Sequence, residues 1–291
     1  MNPVDFLSLF RVKPDHRVRL SGFDPSWRGK HKSKQDLEDV IQKNLERLED
    51  AQSLLWASGQ YALLIVLQAM DTAGKDGLIK HVISGVNPQG CQVSAFKQPT
   101  SEELEHDFLW RYSTKLPGRG RIGIFNRSYY EEVLVVRVHP ELLEKQHRPY
   151  LKPSAELWKQ RYQDINHFES RLARNGTAIV KLFLNISKGE QRKRLQERLD
   201  NPDKHWKFSA ADLTERAHWD EYMEAYADAL SATSTEEAPW YVIPADHKWV
   251  SRWIASEILV KTIQDLKLKP PELSKEQKAA LAKARRELIA N

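Results

Sequence analysis

The sequence predicts an α/β fold in which a five-stranded parallel sheet is flanked by helices. Five short apolar runs alternate with segments of helical periodicity over the 291 residues of the chain. The runs are apolar throughout, which is typical of parallel strands covered on both faces. A short turn with glycine and lysine follows the first run, as in proteins that bind phosphate at the start of a helix. The length suits one such domain with an added lid.

The first half of the chain contains three of the five predicted strands. Apolar residues at helical spacing predict a long helix before the first strand, and the turn Asn87-Pro88-Gln89-Gly90 precedes the second strand. The predicted elements are an irregular arm over 1–33, helices over 36–57, 78–83 and 99–112, strands over 61–68, 91–96 and 121–126, and a basic loop over 115–121.

The second half of the chain continues the alternation. A helix that stops at Gly176 precedes an uninterrupted strand of the buried type, and a short fifth strand stops at Pro244. The predicted elements are helices over 154–175, 187–200, 210–232 and 249–266, strands over 177–184 and 240–243, and, over 274–290, a basic amphipathic helix or a frayed tail.

The positive charge is concentrated at the two ends of the chain. The formal net charge is +5, but residues 11–34 hold eight Lys or Arg against two Asp, and residues 266–291 hold seven against three acids. The region between them is therefore acidic overall. Each basic end is either a solvated tail or an arm that attracts a polyanion. A nucleic-acid-binding module is an alternative for so basic a chain, but the acidic middle and the lack of a basic recognition helix argue against it, and we expect no nucleic-acid partner.

The composition excludes two further classes of protein. No apolar run approaches the roughly 20 residues of a membrane span, so we expect no membrane partner, and Met1–Asp5 lacks the basic start of a signal peptide. The single cysteine, Cys91, cannot form an internal disulfide. We therefore expect a protein of the reducing cytoplasm.

The stretch after the first strand has the features of a phosphate-binding loop. Gly74 and Lys75 open a helix, so that backbone N–H groups face an anion and the lysine reaches the outer phosphates. Ala69 stands in place of the first glycine of the standard pattern, and Asp76 in place of its metal-binding Ser or Thr. Asp71, inside the loop, is therefore the candidate metal ligand. The alternative is an ordinary strand-to-helix turn with a surface lysine.

The third predicted strand ends in Asn126, Arg127 and Ser128. Ligands bind beyond the carboxyl ends of the strands in such sheets, so these side chains should reach the mouth of the phosphate loop. A guanidinium there needs an anionic partner, which favours phosphate binding by Arg127. The carbonyl of Asn126 can join a magnesium shell. Ser128 either contributes to the site or only begins the next helix, with Glu131 completing a capping box.

A strongly basic segment follows the fourth strand. Seven Lys or Arg fall between Lys188 and Lys207. A charge run is commonly a solvated face, and pairs such as Glu190 with Arg194 fit that interpretation. The position of the segment, at the edge of the sheet where ligands bind, favours instead a mobile lid that covers phosphates and excludes water.

These three stretches together resemble the polyphosphate kinase 2 family, over about residues 35–268. The matching segments are Asp71–Gly77, Gly85–Pro88, Asn126–Tyr130, Arg198–Asp200, Lys204–Ser209 and Trp240–Pro244. The resemblance implies a thymidylate-kinase-like P-loop kinase fold and magnesium-dependent transfer of a phosphoryl group between inorganic polyphosphate and a nucleotide. Asn126 stands at a position where many members have Asp. Asn recurs there in the branch associated with nucleoside monophosphates as well as diphosphates, which this sequence resembles most.

On this basis we expect a basic N-terminal arm (1–34), a P-loop phosphotransferase domain (35–270) with a helical lid at about 187–215, and a C-terminal tail or helix (271–291). The expected reaction is reversible transfer from polyphosphate to AMP, ADP or both, with GMP and GDP as further candidates, by a homo-oligomer (dimer or tetramer). The alternative is an ATP-dependent nucleoside monophosphate kinase on the same fold. The crowding of Lys and Arg into one lid favours the polymer.

The expected chemistry is positioning and charge neutralisation without a covalent enzyme intermediate. We expect Asp71, Lys75, Asn126 and Arg127 to be catalytic, and Asp71 and Asn126 to hold Mg²⁺, for which Mn²⁺ can substitute. Contacts to the phosphates are expected from Ala73, Gly74, Lys75, Asp76, Gly77, Arg127, Arg194, Arg198, Lys204 and Lys207. Contacts to the acceptor nucleotide are expected from Tyr130, Glu131 and Arg137. Glu131 either orders the acceptor phosphate or only caps the helix that begins at Ser128.

Overall fold

The centre of the protein is an all-parallel sheet, in a computed structural model that describes residues 6–146 and 152–290. The strands are β1 (Ala62–Ala69), β2 (Cys91–Ala95), β3 (Ile122–Asn126), β4 (Thr177–Asn185) and β5 (Trp240–Pro244). They lie in the order β2-β3-β1-β4-β5. The central strand β1 is buried along its whole length, as its apolar sequence predicts. The predicted five-stranded parallel sheet is confirmed.

Helices flank this sheet and bury its faces. They are α1 (Glu38–Ser58), α2 (Lys75–Val82), α3 (Ser101–Glu105), α4 (Trp110–Ser113), α5 (Val135–Val138), α6 (Ala155–Arg174), α7 (Lys188–Asp200), α8 (Ala210–Ala217), α9 (Trp219–Thr233), α10 (Lys248–Asp265) and α11 (Lys275–Ala290). Helix α10 packs against α1 and α2, and α6 packs against β4 and α9. None of the described helices is long and apolar enough to cross a membrane.

Two of the predicted helices are each broken into two. Between α3 and α4 the backbone is extended at His106, and Asp107 Oδ1 accepts a hydrogen bond from the amide of Leu109 at 2.9 Å. Such a side-chain bond competes with helical hydrogen bonding. Between α8 and α9 the chain bends at His218, which leaves α8 without a buried residue while α9 packs into the core. The single helices predicted over 99–112 and 210–232 are therefore wrong at these bends.

The carboxyl ends of neighbouring strands meet at one edge of the sheet. Leu67 of β1 pairs with Asn126 of β3, and Ala69 of β1 pairs with Leu184 of β4. Strand β5 ends beside β4. The loops that follow these strands therefore share one edge, and this edge positions the functional side chains.

The N-terminal arm packs on the domain instead of forming a solvated tail. The amide of Val12 donates to the carbonyl of Trp240 at 2.9 Å, and the amide of Val242 donates to the carbonyl of Phe10 at 2.8 Å. Residues 1–5 of the predicted arm lie outside the described residues. At the other end of the chain, Lys275–Ala290 form the helix α11 and not a frayed tail. This helix is exposed along the part whose side chains are described.

Candidate active site

A cleft of about 400 Å³ opens at the carboxyl edge of the sheet. Its walls come from the loop after β1, the end of β3, the lid helix α7 with the short 3-10 helix Pro202–Lys207, and the start of α10. The predicted site residues that line it are Asp71, Ala73, Gly74, Lys75, Asp76, Gly77, Asn126, Arg127, Arg194, Arg198, Lys204 and Lys207. Tyr130, Glu131 and Arg137, the predicted acceptor contacts, lie outside this lining.

The phosphate loop turns sharply between β1 and α2. Gly74 has a φ of 109°, a left-handed angle that glycine adopts without a side-chain clash, and Lys75 then begins α2. Lys75 Nζ donates to the carbonyl of Ala69, at the end of β1, at 2.8 Å. Burial lowers the pKa of Lys75, while the charge of Asp71 acts in the opposite direction. A partly desolvated cation attracts a phosphate more strongly than one in bulk water does.

Arg127 joins the phosphate loop to the segment after β3. Its Nη2 donates to Asp71 Oδ1 at 3.1 Å, and its Nη1 lies 3.5 Å from Glu131 Oε2. The charge of Glu131 raises the pKa of Arg127 above its usual value. The φ of Arg127 is 64°, a strained angle for a residue with a side chain and one that is common at functional sites. Because its side chain is 42% exposed, the guanidinium is held by two acids and still faces the cleft.

The two predicted metal ligands, Asp71 and Asn126, both line the cleft. The amide of Asn126 donates to Asp76 Oδ1 at 2.8 Å and so orients this second carboxylate of the loop. Within the described residues, no cluster of three or more His, Cys, Asp and Glu side chains could hold a metal ion. Mg²⁺ needs only one or two carboxylates when substrate phosphates and water complete its octahedral shell. The oxygen donors at this position fit that mode of binding.

Arg194 has a different role from the one predicted. Its guanidinium makes five hydrogen bonds of 2.8–3.1 Å, to Glu190 and to the carbonyls of Thr72, Ala73, Ala245 and Asp246. Only 5% of the residue is exposed. Its donors are thus used within the protein, where they tie the lid helix to the phosphate loop and to the end of β5. The prediction of Arg194 as a phosphate ligand is therefore corrected: it positions the loop.

Three other cations predicted to belong to the lid, Arg198, Lys204 and Lys207, line the cleft. Lys204 and Lys207 are exposed on the wall of the cleft. Arg198 donates to Asp212 of α8 at 3.0 Å. Burial raises the pKa of Asp212, and the carboxylate of Asp71 acts in the same direction. The segment predicted to be a lid consists of α7, the 3-10 helix Pro202–Lys207 and α8.

The sequence interpretation missed two cations of the cleft. Lys248 and Arg252 lie one turn apart at the start of α10. Nη2 of Arg252 lies 4.0 Å from the position that a Cβ atom would take at Gly77. Helix α10 follows β5, so the rule that ligands bind at the carboxyl ends of parallel strands would have found both residues if applied to the fifth strand.

Tyr130 is fully buried, so the prediction that it contacts the acceptor nucleotide is wrong. Its hydroxyl donates to Glu169 Oε1 at 3.0 Å, and the hydroxyl of Tyr129 donates to the same oxygen at 2.7 Å. Lys181 Nζ donates to Glu169 Oε2 at 2.6 Å. Burial of this carboxylate is tolerated because a cation and two hydroxyls satisfy it. The network anchors the segment that directly follows Arg127.

Arg137 is engaged outside the cleft. Its guanidinium donates to Asp228 Oδ2 at 2.7 Å and to the hydroxyl of Tyr162 at 3.0 Å. Both partners belong to helices, α9 and α6, that pack on the sheet. The prediction that Arg137 contacts the nucleotide is therefore corrected: its side chain connects α6 and α9.

Glu131 does not complete a capping box. The hydroxyl of Ser128 accepts from the amide of Tyr130 at 3.2 Å and by itself caps a second 3-10 helix, Tyr129–Val133. The carboxylate of Glu131 faces Arg127 and the side-chain amide of Gln68, whose nitrogen, oriented toward it, lies 2.9 Å away. Burial raises the pKa of Glu131, and the charge of Arg127 opposes this effect. The carboxylate is thus placed to orient Arg127.

Comparison with known proteins agrees with this geometry. The family model described as polyphosphate kinase 2 (PPK2) matches residues 30–271. The chain is 49% identical over 281 residues to an ADP-polyphosphate phosphotransferase of Rhodopseudomonas palustris, covering 96% of this chain and 97% of that protein. It is 48% identical over 267 residues to an AMP/ADP-polyphosphate phosphotransferase of Meiothermus ruber, covering 90% and 95%. The crystal structure of polyphosphate kinase 2 from Arthrobacter aurescens TC1 has a TM-score of 0.88 and 43% identity, covering 98% of this chain and 97% of that chain, which confirms the predicted P-loop kinase fold.

Proposed function

We propose that this chain, which belongs to the polyphosphate kinase 2 family, transfers a phosphoryl group between inorganic polyphosphate and a nucleoside phosphate. The observation that carries the proposal is the charge of the cleft, where seven Lys or Arg side chains besides the internally bonded Arg194 line the walls together with only three carboxylates, those of Asp71, Asp76 and Glu197. Such a surplus of cations matches a polymer of phosphates. Relatives named for ADP or for both AMP and ADP support nucleoside diphosphates and monophosphates as acceptors.

The reaction proceeds by positioning and charge neutralisation, without a covalent enzyme intermediate. The N-terminus of α2 and Lys75 bind the transferring phosphate. Arg127 neutralises charge on the phosphates as the bond to the polymer breaks, since its two acidic partners hold it at the cleft before the substrate arrives. Lys204 and Lys207 hold the adjoining phosphates while the lid excludes water.

Mg²⁺ is the cofactor in this proposal, with Mn²⁺ as a substitute. Asp71 and Asn126 would hold it, and the carboxylate of Asp76, which accepts a hydrogen bond from the amide of Asn126, is a further oxygen donor. When bound, the ion neutralises charge on the phosphate oxygens. The position of these oxygen donors on the wall of the cleft supports this assignment.

The acceptor phosphate binds on the β3 side of the phosphate loop. A nucleoside monophosphate brings one phosphate fewer than a diphosphate. Some protein group must therefore keep the site ordered where that phosphate is missing. Glu131 does this by orienting Arg127, its neighbour at 3.5 Å. The neutral amide at Asn126 avoids adding another carboxylate beside Glu131. The buried position of Glu131 against Arg127 supports this role over one in helix capping.

The enzyme acts in the cytoplasm as a homo-oligomer, a dimer or tetramer, in this proposal. A single cysteine supports a reducing compartment. The exposed leucines Leu281 and Leu288 of α11, which are two helical turns apart, support a contact between subunits through that helix.

The proposed function is tested by incubating the protein with long-chain polyphosphate, Mg²⁺ and either AMP, ADP or GDP, and resolving the nucleotides over time. We expect ATP to form from ADP in the absence of any nucleoside triphosphate donor. In a parallel reaction ATP replaces polyphosphate as donor to AMP. Product only in this second reaction would overturn the proposal in favour of an ATP-dependent nucleoside monophosphate kinase.

A further inference from the structure

The last part of the N-terminal arm is a dense run of exposed cations. No acidic residue falls between positions 28 and 34, and the four cations there are Arg28, Lys30, Lys32 and Lys34. Asp36 Oδ2 accepts from the amide of Lys32 at 2.7 Å, and the guanidinium of Arg28 donates to the carbonyl of Lys32 at 3.3 Å. The turn is therefore fixed through backbone groups, while the ammonium groups of its lysines are in solvent.

The arm reaches this turn by crossing the catalytic edge of the sheet. The side-chain amide of Asn185, the last residue of β4, donates to the carbonyl of Phe23 at 2.8 Å. The amide of Asp246, just beyond β5, donates to the carbonyl of Pro25 at 3.1 Å. Arg28, the first cation of the run, thus follows by only three residues Pro25, whose carbonyl is bonded at the edge where the cleft opens.

Aromatic packing then holds the run beside the cleft. The rings of Trp27 and Trp253 stack with centroids 6.2 Å apart, and His31 meets the edge of Trp253 at 5.2 Å. Trp253 directly follows Arg252, which lines the cleft. The cations on either side of His31 therefore flank the N-terminal part of α10, at the residue that follows Arg252.

His81 links the two groups of cations. Arg252 lies against Gly77 of α2, and His81 is one turn further along the same face of that helix. Burial, followed by the charges of Arg252 and Lys34, lowers the pKa of His81 to about 4. The positive charges of the cleft, at Arg252, and of the arm, at Lys34, therefore both act on the same imidazole of α2.

The charge of the run is largely uncompensated. Lys34 forms an ion pair with Glu38 at 3.2 Å, but both side chains are more than half exposed, so the pair is weak and screened. Among the described residues, no carboxylate lies within 4.0 Å of the charged nitrogens of Arg28, Lys30 or Lys32. A surface of this kind concentrates polyanions by long-range attraction.

From these contacts we infer that the segment from Arg28 to Lys34 is a distal polyphosphate-binding subsite, which holds the part of a long polymer that extends out of the cleft past Arg252. The inference rests on the proposed function, because it assigns the path of the same donor substrate. A short donor that fills only the cleft cannot reach the arm, whereas a long one contacts both. The subsite therefore makes the affinity for the donor depend on its chain length.

The test is a triple variant, Arg28→Gln, Lys30→Gln and Lys32→Gln, compared with a control that removes the same charge from exposed positions outside the cleft, Lys43→Gln, Lys159→Gln and Arg174→Gln. The KM for long-chain polyphosphate and for tripolyphosphate is measured with ADP as acceptor at low and high salt. Loss of several contacts to a polyanion should raise the KM for the long polymer about tenfold at low salt, and less at high salt. The KM for tripolyphosphate should change less than twofold, and the control should resemble the wild type with both donors.

An equal rise in KM for both donors, or the same rise in the control, would overturn the inference. Binding of fluorescently labelled long-chain polyphosphate, followed by anisotropy, separates this outcome from failure of the proposed function. If the wild type transferred no phosphate, the proposed function would fail, but weaker polymer binding by the triple variant than by the control would still support the subsite. Equal binding by both variants would exclude it. Melting curves of the variants check that the arm remains folded.

Discussion

Nη2 of Arg127 lies 3.1 Å from Oδ1 of Asp71, and this ion pair joins the loop after β1 to the end of β3. Both side chains remain partly exposed, 42% and 25%. An ion pair with that exposure contributes little to the stability of the fold. Its effect is to fix the guanidinium beside the phosphate loop before a substrate arrives. This lowers the entropic cost of ordering the side chain in the transition state.

Lys75→Ala should abolish transfer. Removing one cation from a developing phosphoryl transition state should cost about 3–4 kcal/mol, or a few hundred-fold in kcat. The measurement is kcat with ADP and long-chain polyphosphate. Lys43→Ala, which removes an exposed lysine of α1, is the matched control and should behave like the wild type. Near-normal turnover of Lys75→Ala would refute the assignment of the phosphate loop.

Asp71→Asn should greatly lower the rate of transfer with little loss of stability. The change keeps the shape of the side chain but removes the charge that holds Arg127 and is proposed to bind Mg²⁺. Rates measured across a range of Mg²⁺ concentrations, together with a melting curve, test this. If the rate and its dependence on Mg²⁺ were both unchanged, Asp71 would have no part in catalysis.

Arg194→Ala and the double change Lys204→Ala, Lys207→Ala should have different effects, although all three residues line the cleft. The first removes the donor from Glu190 and from four carbonyls that are buried or partly buried, so we expect about 3 kcal/mol of lost stability and slower transfer with every substrate. The double change touches only exposed side chains, and should raise the KM for polyphosphate more than that for ADP.

Melting temperatures and separate KM values for the two substrates distinguish these effects. A stable Arg194→Ala protein with a loss confined to polyphosphate affinity would restore Arg194 as a phosphate ligand. Equal losses for nucleotide and polymer in the double variant would point to a general defect of the lid.

Glu131→Gln should lower phosphorylation of AMP more than that of ADP, by about tenfold in the ratio of kcat/KM values. The amide keeps the volume of the side chain but no longer attracts Arg127, whose position matters more when the acceptor has one phosphate fewer. Parallel kinetics with AMP and ADP measure the ratio. Equal slowing of both reactions would contradict the proposed role of Glu131 in acceptor selection.

His81 should make the protein less stable as the pH falls from about 6.5 toward 4. Its pKa is about 4 in the folded protein, against 6.5 for an unperturbed histidine. In this window the unfolded chain binds the proton and the folded protein does not, so the free energy of unfolding decreases with falling pH. The variant His81→Gln should lose less stability than the wild type between pH 7 and 4.5.

Melting temperatures across this range provide the measurement for His81, with the exposed His167→Gln as a control that should follow the wild type. An identical decrease in the wild type and in His81→Gln would show that other groups cause it.

Features that depend on contiguous residues could be read from the sequence. The phosphate loop is one strand, one turn and one helix in succession, so the places of Gly74 and Lys75 follow from local chain geometry. The parallel sheet follows from its uninterrupted apolar strands, because only strands covered on both faces have that pattern. The position of Asn126 and Arg127 at the cleft also follows, because the carboxyl ends of parallel strands share an edge.

Only the tertiary structure decided which charged residues are free to meet a substrate. Arg194 and Lys204 belong to the same basic segment, yet distant carbonyls of the phosphate loop and of the chain after β5 occupy the first and leave the second exposed. Tyr130 follows Arg127 by three residues but is turned into the core by Glu169. Burial and hydrogen bonding are set by groups far apart in the chain, and a local pattern of residue types does not contain those distances.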